Sequence, residues 1–300
     1  RHVMKRQNKE IITDGYIYMC SYDTSITNKI FLHYFDMLRS VHIAYEEKIK
    51  NEKERLMKDL RRLQHNVNTY NATIDEITNL VPLDDIHNKW KDVVPFVEKM
   101  VQENPRLTAI TLLKTMKFST FVTAEMTVHD YINADNIKLE KYSHSMHRIV
   151  KLSLQPYFLE FVENNIDIKI GDCYTNVLID YPTISVVLGH LWNNAIKYIY
   201  KGSSLDISFY CNENNLTTSI KMYSLKIEND EIEDIYTEGY SGKWAKMISK
   251  DGHGIGMFYI KHLIEMNGGY FSINAGVNVT NINGIPYANN EFLLSLPLDI

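Results

Sequence analysis

The segment Gly252-His253-Gly254-Ile255-Gly256-Met257 stands directly ahead of an apolar-periodic helix. Glycines let a backbone approach a phosphate closely, and the free N–H groups and dipole of a helix start favour an anion. A glycine-rich turn capping a helix would look the same taken alone. The spacing is not the dinucleotide fingerprint, which needs a third glycine further on and a distal acid in a βαβ unit. It is not a P-loop either, since no Gly-Lys-Ser/Thr follows. Upstream, His190-Leu191-Trp192-Asn193-Asn194-Ala195-Ile196-Lys197-Tyr198 reads as helix. His190, Asn194, Lys197 and Tyr198 fall at i, i+4, i+7 and i+8 and share one face. A carboxamide, an amine and an imidazole there suit a polar pocket, though a solvated face would carry the same residues.

Together the two elements are more specific than either. An Asn-Ala-x-Lys-Tyr helix, then Gly-x-Gly-x-Gly opening another helix, then Asn267-Gly268-Gly269, resembles the nucleotide-binding domain of sensor histidine kinases. That domain is an α/β sandwich of the wider gyrase and histidine-kinase ATPase type, and the resemblance covers roughly residues 147–300. It implies ATP and Mg²⁺ as cofactors. Asn194 would hold Mg²⁺ against the phosphates, with Lys197 near them and His190 and Tyr198 on the same binding face. Gly252, Gly254 and Gly256 would shape a lid on the phosphate side. The stretch Asp234–Gly242, with Gly239, resembles the lid entrance, and Lys243, Lys246 and Lys250 follow it.

Two departures matter. The family usually has Asn where this chain has His190. It also carries an Asp-x-Gly-x-Gly box whose aspartate accepts a hydrogen bond from the adenine amino group. The corresponding stretch here is Met222-Tyr223-Ser224-Leu225-Lys226-Ile227, with neither the aspartate nor the glycines. The expectation is a degenerate base site with weak affinity and poor selection of ATP over GTP. Ser224 would be its one small hydroxyl, and Asp230 or Asp234 the acids that might replace the missing one.

The resemblance further implies a phosphoacceptor histidine on the first helix of a dimeric hairpin, within His-Glu/Asp-x-x-Thr/Asn. Here the string is His65-Asn66-Val67-Asn68-Thr69, with Asn66 in place of the acid. His65 lies between Leu63 and Val67 and points away from the apolar seam they form, where a nucleophile has to be. The chemistry asks for a neutral imidazole, with an acceptor on its other N–H to fix the tautomer. Asn66 can accept that hydrogen bond but cannot act as a base. Thr69 matches the position that in relatives orients water for dephosphorylating a partner. His42, on the seam, and His144 and His147, without the acceptor context, rank behind His65.

The elements that must position these groups fall into two textures. Residues 1–27 are polar, with one strand-like piece at Gly15–Cys20. From Thr27 a long helical pattern runs through Phe35, Leu38, His42, Tyr45 and Ile49. After the charged interruption 51–55 it resumes, out of register, as Leu56, Leu60, Leu63, Val67, Tyr70, Ile74 and Ile77. That second run has the alternating four-and-three spacing of a coiled coil or bundle helix. Pro82, Pro95 and Pro105 punctuate shorter helices, and 106–134 reads as the returning partner helix. A third helix is expected over 142–164. Beyond Asn165 strands at 166–170, 176–180, 205–211, 217–223, 270–274 and 292–296 alternate with helices at 183–200 and 255–267.

The fold class is therefore α+β. A polar segment at 1–27 precedes an all-helical dimerisation and phosphoacceptor region at 28–145. An α/β sandwich ATP-binding domain follows at 146–300. The chain holds 32 Lys+Arg against 37 Asp+Glu, a formal charge of −5, which excludes a globally basic nucleic-acid binder. Cys20, Cys173 and Cys211 make neither a disulfide framework nor a CxxC metal pair, so a reducing, cytoplasmic setting is expected. No apolar run approaches the ~18 residues of a membrane helix, and the opening Arg1-His2-Val3-Met4 has no signal-peptide pattern. An excised cytoplasmic part is the expectation, with any membrane attachment through a segment outside this chain. The implied activity is phosphorylation of His65 by ATP in a homodimer, and transfer to an aspartate of a response-regulator receiver domain. The alternative is a degenerate kinase-like scaffold that binds partners with little or no catalysis. An ATPase clamp like gyrase is disfavoured, because a helical hairpin precedes the sandwich and no transducer domain follows.

Overall fold

The structure, a computed structural model, describes all residues except 1–5, 13–14, 82–83, 85–86, 88–90, 134–138, 249–253 and 300. It divides into two compact units, Arg1–Thr69 and Tyr70–Ile300.

In the first unit, β1 (Arg6–Ile12) and β2 (Gly15–Ser21) form an antiparallel hairpin with Arg6 opposite Ser21. Ile17 of β2 is buried, as are Phe31 and Phe35 from the first turns of α1 (Asn28–Leu80). Glu10 accepts an ion pair from Arg39 at 2.9 Å, which fastens the hairpin to the helix. The two runs separated by residues 51–55 belong to one uninterrupted helix, not two joined ones. The break in apolar register leaves no break in the backbone, because Lys, Glu and Arg are good helix formers in an exposed stretch. Beyond Phe35 the seam residues Leu38, Tyr45, Ile49, Leu56 and Leu60 are exposed.

The second unit takes in the last turns of α1 from Tyr70, then α2 (Val93–Glu103) and α3 (Pro105–Asn133), the latter opened by a proline at its first position, where no N–H is needed. The sequence makes α3 a return along 56–77. Within its own unit α3 packs on the sandwich, where Lys117 pairs with Glu160 and lies 5.0 Å from the Tyr157 ring. Residues 142–164 are not one helix. They form β3 (Tyr142–Ser145), α4 (Met146–Leu154), a 3₁₀ turn (Gln155–Tyr157) and α5 (Phe158–Glu163). Ser145 caps α4 by accepting the Arg148 N–H, and Pro156 breaks the helix.

Then come β4 (Asp167–Ile170), β5 (Asn176–Ile179), α6 (Tyr181–Tyr198), β6 (Ser204–Cys211) and β7 (Asn215–Leu225). After β7 stand the turn Asn229–Glu231, α7 (Ile232–Ile235), α8 (Lys243–Ile248) and α9 (Gly256–Met266). β8 (Tyr270–Asn274), β9 (Thr280–Ile282) and β10 (Ile285–Pro297) close the chain. The six-stranded sheet runs β4-β6-β7-β10-β8 with β9 on β10, and all pairs are antiparallel except β4–β6. β3 pairs with β5. One core, including Val150, Ile184, Leu188, Trp192, Ile220, Ile260 and Leu294, fills the space between the sheet and α4, α6 and α9. The sandwich is thus one layer of sheet and one of helices, with α6 and α9 both resting on the core.

Candidate nucleotide site

The start of α6 and the end of α9 are bound by a buried polar network. Asp180 caps α6 by accepting the Thr183 N–H at 3.0 Å, and donates its own N–H to Asn267 Oδ1 at 2.8 Å. Asn267 Nδ2 donates to Thr183 Oγ1 at 2.8 Å and also to Leu263 O. Each group has a partner, as burial demands. Fixed in this way, the two helices bring the middle of α6 against the beginning of α9. A Cβ on Gly256 would stand 3.6 Å from His190 Nδ1 and 3.7 Å from Asn194 Nδ2. Asn194 Nδ2 lies 3.3 Å from Met257 Sδ, and the His190 ring packs 5.7 Å from Tyr259. Ile255 at the N-cap of α9 has no side-chain oxygen, so the first-turn N–H groups are not capped by it.

Glycine is required at the crossing above this point. Gly254 has φ +65°, and a Cβ there would fall 2.2 Å from Tyr240 O. Gly239, with φ +84°, donates its N–H to Gly254 O at 3.0 Å. Gly239 and Gly254 therefore touch backbone to backbone, and at Gly254 no residue with a Cβ fits. Lys197 is exposed at the last turn of α6, and Tyr198 is half-buried, with burial pushing its phenol up. Gly252 and Lys250 lie outside the described residues.

The other end of the candidate site is the end of β7. Met222 and Ser224 are buried, and no glycine interrupts the strand before Leu225. Buried Asn290 of β10 donates to Ser224 Oγ and to Leu225 O, each at 2.9 Å, and accepts the Gly276 N–H at 3.0 Å. The Ser224 hydroxyl expected to face a base is thus engaged inside the sheet. Lys226 pairs with Glu228, which also accepts Trp244 Nε1–H at 2.8 Å. Hydrogen bonds from Lys226 and then Trp244 hold the Glu228 carboxyl below its ordinary value. Asp230 and Asp234 are exposed.

His65, Asn66 and Thr69 fall on the backbone of α1, and their side chains lie outside the described residues. Of the alternatives, His42 Nε2 is 3.0 Å from Glu46 Oε1 on α1. His144 and His147 belong to β3 and α4 of the sandwich, packed on Tyr181 and Phe209. Sequence reasoning missed Glu228, Glu231 and Asn290.

Among the described residues no cluster of His, Cys, Asp or Glu could hold a metal alone. A Mg²⁺ carried by phosphates needs few protein oxygens, and the Asn194 carboxamide suits that demand. The phosphate end of a nucleotide is fitted by Asn194, the start of α9 and the glycine crossing. No carboxylate of β7 is available to an adenine amino group, since the strand Asn215–Leu225 carries no Asp or Glu.

Residues 179–299 match the family described as histidine kinase-, DNA gyrase B- and HSP90-like ATPase, and this part of the chain is a histidine-kinase-type ATPase domain. Sensor histidine kinase YxdK of Bacillus subtilis strain 168 is 21% identical over 123 residues, 40% of this chain and 38% of that protein. Sensor protein KdpD of Clostridium acetobutylicum is 24% identical over 142 residues, 47% of this chain and 16% of that protein. The matched stretches therefore span well under half of either relative. Among solved structures, the catalytic domain of histidine kinase ThkA is 17% identical with a TM-score of 0.42, covering 53% of this chain and 97% of that one. Mycobacterial sensor histidine kinase MprB is 14% identical with a TM-score of 0.44, covering 53% and 97%. Among the described residues no helix is long and apolar enough to cross a membrane.

Proposed function

We propose that the chain is the catalytic portion of a cytoplasmic sensor histidine kinase, which phosphorylates His65 and passes the phosphoryl group to a receiver-domain aspartate. The carrying observation is the meeting of Asn194 with the Gly256 start of α9 beneath the Gly239–Gly254 crossing. On this reading 28–145 is the dimerisation and phosphotransfer region, preceded by the segment 1–27, and 146–300 is the catalytic domain. Bound Mg²⁺-ATP supplies the γ-phosphoryl group. Asn194 would offer its carboxamide oxygen to the metal, and the first-turn N–H groups of α9 would be available to phosphate oxygens. His65 attacks phosphorus with its unprotonated nitrogen, so that a P–N bond forms as the bond to ADP breaks. Asn66 accepts the other imidazole N–H, and Thr69 serves the reverse, hydrolytic reaction. The exposed seam of Leu38, Tyr45, Ile49, Leu56 and Leu60 supports pairing with a second copy. A second reading, a kinase-like scaffold with little catalysis, is favoured by the missing adenine aspartate and by Asn66.

Incubation with γ-labelled ATP and Mg²⁺ decides between them. The wild type should gain an acid-labile, base-stable phosphate, and His65→Gln should gain none while binding Mg²⁺-ATP as before. Nucleotide binding without label favours the scaffold. Label that persists in His65→Gln moves the acceptor to His144 or His147.

A further inference from the structure

The near limb of the lid, Gly239 to Lys246, is fastened to the turn that follows β7 by two carboxylates. Glu231 is the deeper, at 6% exposure. Its Oε1 accepts the Glu228 N–H at 3.0 Å and closes a capping box with the Glu228 side chain. Its Oε2 accepts the Lys243 N–H at 2.8 Å and the Tyr240 hydroxyl at 3.2 Å. Gly242 passes so near that a Cβ there would stand 3.3 Å from Glu231 Oε1. Burial, and after it the Glu231 charge, pushes the Tyr240 phenol up. Beside this, Glu228 holds the Trp244 indole N–H.

A buried carboxylate is tolerated only with its donors in place. Here one donor, Glu228 N–H, belongs to the turn, and two, Tyr240 and Lys243, belong to the lid. Lifting the limb strips the lid donors from Glu231 and frees the Lys243 end of α8. We propose that Glu231 is a positioning residue for the nucleotide site: it fixes Gly239–Lys246 in place before any nucleotide arrives. Incoming phosphates then meet a preformed wall next to the Gly239–Gly254 crossing and do not have to order it. This rests on the nucleotide reading above for its purpose, but not for its geometry.

Lys243 and Lys246 are exposed within the limb, and Lys201 is exposed in a turn elsewhere on the same domain. Tryptic cleavage after each, followed by mass spectrometry on the full chain, reads the limb against an internal reference. In the ligand-free wild type, cutting after Lys243 and Lys246 should be at least about tenfold slower than after Lys201. Glu231→Ala should bring the lid sites up to the Lys201 rate without changing the latter, with Glu231→Gln between the two. Tyr240→Phe, which removes a single donor, should raise the lid rate about threefold and serves if Glu231→Ala does not fold. Added Mg²⁺-ATP should alter the wild-type lid rates less than twofold, while Glu231→Gln should bind it roughly tenfold more weakly. Lid sites cut as fast as Lys201 in the wild type, or protected only after nucleotide is added, overturn the proposal. A wild type that binds no nucleotide but keeps its lid protected removes the kinase reading and leaves the Glu231 anchor standing.

Discussion

At the α9 end of the candidate site the backbone does the positioning, whereas at the β7 end buried side chains fill an unbroken strand. Gly239 and Gly254 cross with both φ angles positive, and Asn194 faces the uncapped start of α9. Across the same domain, Met222 and Ser224 are buried in an unbroken strand, and Asn290 takes up the Ser224 hydroxyl. On the proposed reading, the difference teaches that a fold can keep its groups for phosphate without a carboxylate for adenine, since the two rest on different elements. Phosphate recognition uses helix starts and glycine backbone. The base recognition that the resemblance implies rests on one carboxylate at a strand end, and β7 has none.

The largest effect is expected from Gly254→Ala. A left-handed conformation costs a residue with a Cβ roughly 1–2 kcal/mol, and overpacking adds typically 1–3. A Cβ 2.2 Å from Tyr240 O cannot be relieved by turning a side chain. The lid ends must separate, and Mg²⁺-ATP affinity measured by calorimetry should fall by about thirtyfold or more. Gly256→Ala, whose Cβ meets only ordinary contacts at 3.6 and 3.7 Å, should cost much less. Equal losses in the two variants would break the distinction between a required crossing and a tolerant helix start.

A smaller effect sharpens the other end. With no free carboxylate on β7, ATP and GTP should bind within about tenfold of each other, ~1.4 kcal/mol. Ser224→Ala should leave that ratio unchanged and lower stability by about 1 kcal/mol, the worth of one hydrogen bond, because Asn290 still reaches Leu225 O. A thousandfold preference for ATP would mean that an exposed acid such as Asp230 or Asp234 reaches the base. A ratio that shifts in Ser224→Ala would mean that the hydroxyl is not held by Asn290 when nucleotide is bound.

Much of the sandwich was legible because its strands alternate and its helices carry buried stripes. Ile166–Ile170 and Leu205–Cys211 announced β4 and β6, and the glycines announced the start of α9. The missing box was legible too, as an absence. What stayed hidden depends on pairing across long stretches of chain. Tyr142-Ser143-His144-Ser145 has no strand pattern and becomes β3 only because β5 lies beside it. Thr280–Ile282 is β9 for the same reason, lying against β10. Glu231 looked like one more acid in a polar loop. Its role comes from Tyr240 and Lys243 folding back onto it, and side-chain periodicity carries no trace of that.

The smallest effect concerns the Glu228 contact, where both partners are partly open to solvent. The Glu228 carboxyl lies below the ordinary glutamate value of 4.5, chiefly through hydrogen bonds from Lys226 and Trp244. A carboxyl lowered by folding adds stability that is fully present above its unfolded value and disappears as pH falls through its folded value. The Trp244 contact should therefore be unchanged from pH 7 to about 5 and be lost only as pH falls below the ordinary glutamate value. Trp192 is buried with its N–H on Ser153 Oγ at 2.8 Å, so it gives a constant background to fluorescence. In a Trp90→Phe background, emission should stay constant down to about pH 5 and then shift to the red while far-UV dichroism holds. Glu228→Gln should show part of that shift already at pH 7, since the neutral amide holds the indole N–H and Lys226 less strongly. A red shift of the wild type between pH 7 and 5 would show that a group of higher pKa, and not Glu228, holds the indole, and the two-carboxylate description of the near limb would reduce to Glu231 alone.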